Sequence, residues 1–189
     1  MEKYSKRKTI RLKQYDYSNN GWYFITICSY NRENIFGDYN KNVGAALVSA
    51  RNNVSTHMEL SIIGQIIDKQ WNDIKNQYGN IELGQYVIMP NHIHGIIIIN
   101  NRAQTSSAPT ISQIIRSFKS KCTNEYLIYL KRNNIQMHVH IWQRSFYDHI
   151  IRNDKSLHKI REYIINNPLT WGTDNNNSNN KTKRLSHEL

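Results

Sequence analysis

The residues best suited to chemistry are His92 and His94 in the run Met89-Pro90-Asn91-His92-Ile93-His94-Gly95. Side chains alternate along a strand, so the two histidines share one face while Ile93 points to the other. Two neutral imidazoles side by side accept a divalent cation readily; the bland alternative is a half-exposed structural pair. A working metal site also needs a third ligand, and bond breaking needs a nucleophile. The run Arg161-Glu162-Tyr163-Ile164-Ile165-Asn166-Asn167-Pro168 offers both, because Tyr163 and Asn167 are four residues apart and share a helical face. With 12 tyrosines in the chain, position alone does not single out Tyr163. A second pair, His138-Val139-His140, has the same spacing but follows the polar stretch Lys131-Arg132-Asn133-Asn134. That setting holds ligands loosely, so solvated side chains are expected there.

These residues need elements to position them. Trp22 to Tyr30 is aromatic and β-branched throughout and reads as a central strand. Gly37 to Thr56 lacks clear periodicity and reads as a loop or irregular hairpin. Ser61 suits the N-cap of a helix burying Ile63, Ile66, Ile67, Trp71 and Ile74. Glu82–Met89 and His92–Asn100 read as an antiparallel pair joined by Pro90-Asn91. A second helix begins near Thr110 with Ile111, Ile114, Ile115, Phe118 and Cys122 inward, and Arg116, Lys119 and Lys121 off that stripe. The last helix takes Asn153 or Asp154 as N-cap, buries Leu157, Ile160 and Ile164, and must stop around Pro168. Strands interleaved with about three helices predict an α+β fold with helices on an antiparallel sheet.

The 189 residues suffice for one domain of ordinary size. A formal charge of +11 asks for a polyanion, with nucleic acid the leading candidate. A mean hydropathy of −0.69 and strand-length apolar runs speak against a spanning helix or membrane partner. Cys28 and Cys122 match no metal-ligand or redox spacing, which fits a reducing cytoplasm. The N-terminal arm carries Lys6, Arg7, Lys8, Arg11 and Lys13. With Arg116, Lys119, Arg144 and Arg152 it supplies candidate phosphate contacts, while Trp142 and Tyr147 are candidates for stacking on unpaired bases. Core packing is the stronger expectation for Trp142 and Phe146.

Three motifs in order, Met89 to Gly95, Trp142-Gln143-Arg144-Ser145-Phe146-Tyr147-Asp148-His149-Ile150-Ile151-Arg152 and Arg161 to Pro168, resemble the REP-associated tyrosine transposases. These belong to the HUH (His-hydrophobic-His) single-tyrosine transposases of insertion sequences. Arg11 to Tyr17, Tyr23 to Cys28 and Asn31-Arg32 also match that family's opening. The resemblance implies a ferredoxin-like antiparallel sheet with helices mainly on one face, spanning 1–171 with the basic arm. An Asn-rich, disordered tail over 172–189 would follow.

For the site, the resemblance implies that His92 and His94 hold a divalent metal, Mg²⁺ or Mn²⁺, that Tyr163 is the nucleophile and that Asn167 is the third ligand. Asn166 is the adjacent alternative for that last role. The implied reaction nicks and joins single-stranded or hairpin DNA through a 5′-phosphotyrosine, acting on palindromic repeats at the nucleoid in the cytoplasm, as monomer or homodimer. The rival readings are a catalytically idle hairpin-binding protein and a metal-dependent nuclease that uses water.

Overall fold

The computed structural model describes residues 20–39, 58–100, 109–137, 140–174 and 176–177. The main sheet contains β1 (Gly21–Cys28), β4 (Ile81–Met89), β5 (His92–Ile99) and β6 (Tyr147–Ile151), in the order β4-β5-β1-β6. All three neighbouring pairs are antiparallel. α1 (Ile62–Gln77) connects β1 to β4, and α2 (Ile111–Arg132) connects β5 to β6. This strand-helix-strand, strand-helix-strand order is the ferredoxin-like topology. β2 (Gly37–Tyr39) and β3 (Met58–Leu60) form a small separate ribbon, so the segment expected to be an irregular loop or hairpin begins as paired strand; residues 40–57 lie outside the described residues.

Alternation along β5 divides its side chains between two cores. Ile93, Ile97 and Ile99 face α1 and α2, alongside Ile25, Ile27, Ile67, Trp71, Ile114 and Phe118. Ile96 and Ile98 face the other way and pack with Phe24, Val87, Leu157 and Ile164 under α3 (Asp154–Asn166). Two of the three helices thus share a face, and α3 covers the opposite one.

The helix starts lie where the sequence places them. Ser61 accepts a hydrogen bond from the Gly64 amide, Thr110 forms a reciprocal capping box with Gln113, and Asn153 accepts from the Ser156 amide. β6 is less legible, because Tyr147, His149 and Ile151 lie on the α3 face of an edge strand and two of them remain exposed.

The tail expected to be disordered from residue 172 begins inside an ordered turn. A 3-10 segment runs over Pro168–Thr173, and the Asn177 side chain is buried, donating to the Trp171 carbonyl at 2.9 Å. Asn-rich composition conceals this because each amide is used singly, in a turn or cap, with no apolar period to reveal it. Residues 178–189 lie outside the described residues. Among the described residues, no helix is long and apolar enough to cross a membrane.

Candidate functional site

The site starts at the β4–β5 turn. Pro90 and Asn91 are both buried because the chain after β1 folds over them. The Ser29 amide donates to the Asn91 carbonyl at 2.8 Å, and the Phe36 amide donates to the Pro90 carbonyl at 2.9 Å. That covering segment turns through Asn31 and Arg32, both in the left-handed region with φ of 51° and 58°. The Asn91 amide nitrogen donates to the carbonyls of Arg32, at 3.0 Å, and Asn176, at 2.8 Å. Its oxygen is therefore left for His92, whose Nδ1 lies 2.9 Å away. An acceptor there requires Nδ1 to carry the hydrogen, so Nε2 of His92 presents a bare lone pair. This nitrogen is buried and has no hydrogen-bond partner among the described residues.

His94 sits one pleat further along the same face. The ring centroids of His92 and His94 are 4.4 Å apart. Thr26 Oγ1 on β1 lies 2.8 Å from His94 Nδ1, and the Tyr163 hydroxyl lies 3.1 Å from His94 Nε2. Each of these hydroxyls can donate or accept, and the tautomer that lets Nε2 serve as a ligand is the one with the hydrogen on Nδ1, donated to Thr26. The Asn91 oxygen fixes the hydrogen of His92 on Nδ1, and the same tautomer of His94 would give the site a second bare Nε2. Burial keeps both neutral. It lowers His92 to about 3, helped by the Arg32 charge, and holds His94 well below the ordinary histidine value, helped by the charge of His92.

α3 supplies the other half. Leu157 and Ile164 anchor its inner stripe, and Tyr163 lies at the edge of that stripe, 44% exposed. Phe24 supports both functional rings, stacked on His94 at 5.3 Å and edge-on to Tyr163 at 6.1 Å. Burial and the negative charge of Asp174 raise the Tyr163 phenol above its ordinary value, while the Asn167 side chain opposes them. The net influence of the described side chains thus keeps this phenol protonated.

Asn167 is 1% exposed and Asn166 is exposed, which separates the two amides. The Asn167 nitrogen donates to Asp174 Oδ2 at 3.1 Å. Its oxygen is buried, unpartnered among the described residues, and close enough to His92 to favour that ring's protonated form. His92 Nε2 and Asn167 Oδ1 are thus two buried acceptors for which the described residues supply no donor. Such a pair is costly unless something positive joins it. The donors fit a divalent cation of intermediate hardness, two imidazole nitrogens and one amide oxygen. Among the described residues, no group of three or more His, Cys, Asp or Glu side chains could hold a metal, and the buried donor beside the two histidines is the Asn167 amide oxygen.

The structure thus brings His92, His94, Tyr163 and Asn167 together. The basic candidates are scattered. Arg7, Lys8, Arg11 and Lys13 lie outside the described residues. Arg116 is exposed on α2, across the sheet from the site. Arg144 is exposed before β6, and Arg152 is exposed just beyond it, at the opposite end of β1 from His92. Lys119 is turned inward and donates to the carbonyls of Gln143, at 2.8 Å, and Ser145, at 3.2 Å. Burial lowers its ammonium to about 8, and its part here is to hold the chain ahead of β6. Trp142 packs between Phe36 and Phe118 as expected of a core residue, while Tyr147 is 42% exposed on the site's face. Sequence reasoning gave no role to Thr26, Asn91 or Asp174. Asn91 adjoins His92 and Thr26 is on the α3 face of β1, so both had a weak signal; Asp174, in an Asn-rich stretch, had none.

Comparison with known proteins supplies the context. The family model described as "Transposase IS200 like" matches residues 46–167, which include all four clustered residues. An uncharacterized protein of Haemophilus influenzae strain Rd is 34% identical over 184 residues, covering 89% of this chain and 91% of its own. A second protein of that organism, provisionally named a REP-associated tyrosine transposase, is 31% identical over 85 residues, covering 45% of this chain and 48% of its own. A solved REP-associated tyrosine transposase bound to a REP hairpin has a TM-score of 0.54 at 19% identity. The match covers 90% of this chain and 74% of that one, and at this identity shows a shared fold. Because the family match takes in more than half of the chain, from residue 46 to Asn167, this protein belongs to the IS200-like transposase family.

Proposed function

We propose that this transposase is a divalent-metal-dependent HUH enzyme that nicks and rejoins single-stranded or hairpin DNA, with Tyr163 as nucleophile. The observation that carries the reading is the 3.1 Å contact between the Tyr163 hydroxyl and His94 Nε2, beside His92 Nε2 and Asn167 Oδ1, two buried acceptors with no partner among the described residues. His92, His94 and Asn167 would hold Mg²⁺ or Mn²⁺. When bound, such an ion polarises a phosphate oxygen and offsets the charge that develops in the transition state.

The chain's own residues do the rest. Phe24, edge-on to the phenol, fixes its position once the His94 Nε2 lone pair is given to an ion, and the half-exposed ring lets a phosphodiester approach from outside. As the Tyr163 oxygen bonds to phosphorus, the bond to the 3′-oxygen breaks, and that oxygen leaves with the electron pair and becomes a 3′-hydroxyl on protonation. With its hydrogen on Nδ1 beside Thr26 and its Nε2 lone pair given to an ion, His94 would have no site for the phenol proton, which passes to solvent at the open rim. The 5′-phosphotyrosine conserves the phosphodiester bond energy, and another 3′-hydroxyl can reverse the step without ATP. Palindromic hairpins are the substrate class we assign, supported by the REP hairpin bound to the solved relative and by the net charge of +11.

A denaturing gel with labelled hairpin DNA and Mn²⁺ tests the proposal. A covalent protein–DNA band that disappears in chelator and in the His92→Ala plus His94→Ala variant is expected. Free 5′-phosphate ends without adduct would assign water as nucleophile, and binding without cleavage would assign an idle hairpin-binding protein.

A further inference from the structure

We propose that Asp174 is a positioning residue for the metal site, holding the Asn167 amide with its nitrogen turned away and its oxygen turned toward His92. This inference rests on the metal-dependent reading above. A primary amide has two nearly isosteric ends, and only its surroundings decide which end faces a ligand. Asp174 breaks that symmetry. An ionised carboxylate only accepts, so it takes the Asn167 nitrogen, at 3.1 Å, and refuses the oxygen.

The carboxylate is itself held from several sides. Its Oδ1 accepts from the Asn176 amide at 2.6 Å, its own amide donates to the Trp171 carbonyl at 3.3 Å, and the Asn177 amide donates to the Asp174 carbonyl at 3.1 Å. These bonds tie residue 174 to the turn after α3, and from that position Oδ2 accepts from the Asn167 amide. Asp174 forms no three-residue His, Cys, Asp or Glu cluster with His92 and His94 that could hold a metal; its charge reaches His94 and Tyr163 through space, and its hydrogen bond reaches the site through Asn167. Carboxylates that orient metal ligands in this way are commonly worth 10- to 100-fold in metal affinity.

The test measures Mn²⁺ affinity by titration calorimetry on the full chain without DNA, together with the metal-free melting temperature. Asp174→Asn keeps the shape but can present either an acceptor or a donor to Asn167. It should weaken Mn²⁺ binding by about tenfold while leaving metal-free melting within about 2 °C of the parent. In an Asn167→Ala background the same substitution should cause no further loss, because the group through which it acts is gone. Unchanged affinity in Asp174→Asn, an equal loss in both backgrounds, or a metal-free melting drop beyond that range would overturn the assignment. A parent that binds no Mn²⁺, or whose binding survives His92→Ala plus His94→Ala, would remove the metal site and this inference with it. Loss of binding in the histidine variant but not in Asp174→Asn would overturn the inference alone.

Discussion

The hydroxyl of Tyr163 and Nε2 of His94 meet at 3.1 Å, joining an α3 residue to a β5 residue 69 positions earlier. The contact crosses the only face of the sheet on which both histidines lie, and Phe24 packs against each ring. The phenol is accordingly fixed by packing as well as by the hydrogen bond.

Tyr163→Phe therefore separates chemistry from structure. It removes one oxygen and leaves the ring on Phe24, so the lost hydrogen bond should cost about 1 kcal/mol or less at this half-exposed position. The covalent adduct should vanish on a denaturing gel, while hairpin affinity in a filter-binding assay stays within about twofold, or ~0.4 kcal/mol. Persistent adduct would move the nucleophile elsewhere, with Tyr147, exposed on the same face, next in line.

Gly95 sets how closely β5 approaches α1. A Cβ added there would lie 2.3 Å from Trp71 Cζ2, and Trp71 is fully buried against Phe118 and Tyr86. Gly95→Ala should thus destabilise by about 1–3 kcal/mol, at about 2–4 °C of melting temperature per kcal/mol. Trp71→Phe in the same chain should recover part of that loss by freeing the space. Calorimetric melting of the single and double variants checks this, and an unchanged melting temperature in Gly95→Ala would show that the strand and helix can separate freely.

The buried imidazoles make the fold sensitive to mild acid. An unfolded histidine titrates near 6.5, whereas His92 in the folded protein stays neutral down to about 3 and His94 is also held well below its ordinary value. Between those limits the unfolded chain binds more protons, so stability must fall as pH drops below about 6.5. Most carboxylates remain ionised between about pH 5 and 6.5, so that interval isolates the histidines. In chelator, the parent should lose melting temperature across it more steeply than His92→Asn plus His94→Asn. Parallel curves for the two proteins would show that these rings titrate normally.

The second histidine pair serves as an internal control. His140 is exposed with its ring 5.2 Å from Tyr30, and His138 lies outside the described residues. Replacing both with asparagine should leave the cleavage rate and its metal requirement within a few-fold of the parent in single-turnover assays. A collapse matching that of the His92, His94 variant would transfer the site to this pair.

Much of this architecture follows from local pattern. Strand alternation alone puts His92 and His94 on one face, the capping residues Ser61, Thr110 and Asn153 set where the three helices begin, and i to i+4 spacing aligns Tyr163 with Asn167. Each depends on neighbours within about one turn or pleat, which a sequence displays directly. Only the tertiary structure decides which face of the sheet α3 covers, and hence that Tyr163 meets His94. It also decides that Asn167 is buried while Asn166 is exposed, that Lys119 turns inward to two carbonyls, and that the tail reaches back to place Asp174 beside Asn167 and Asn176 beside Asn91. These relationships rest on single hydrogen bonds between residues distant in sequence or on the packing of one helix face. Neither leaves a periodic trace in the chain, because an asparagine that orients a ligand and one that is merely solvated are the same residue until the fold gives them different partners.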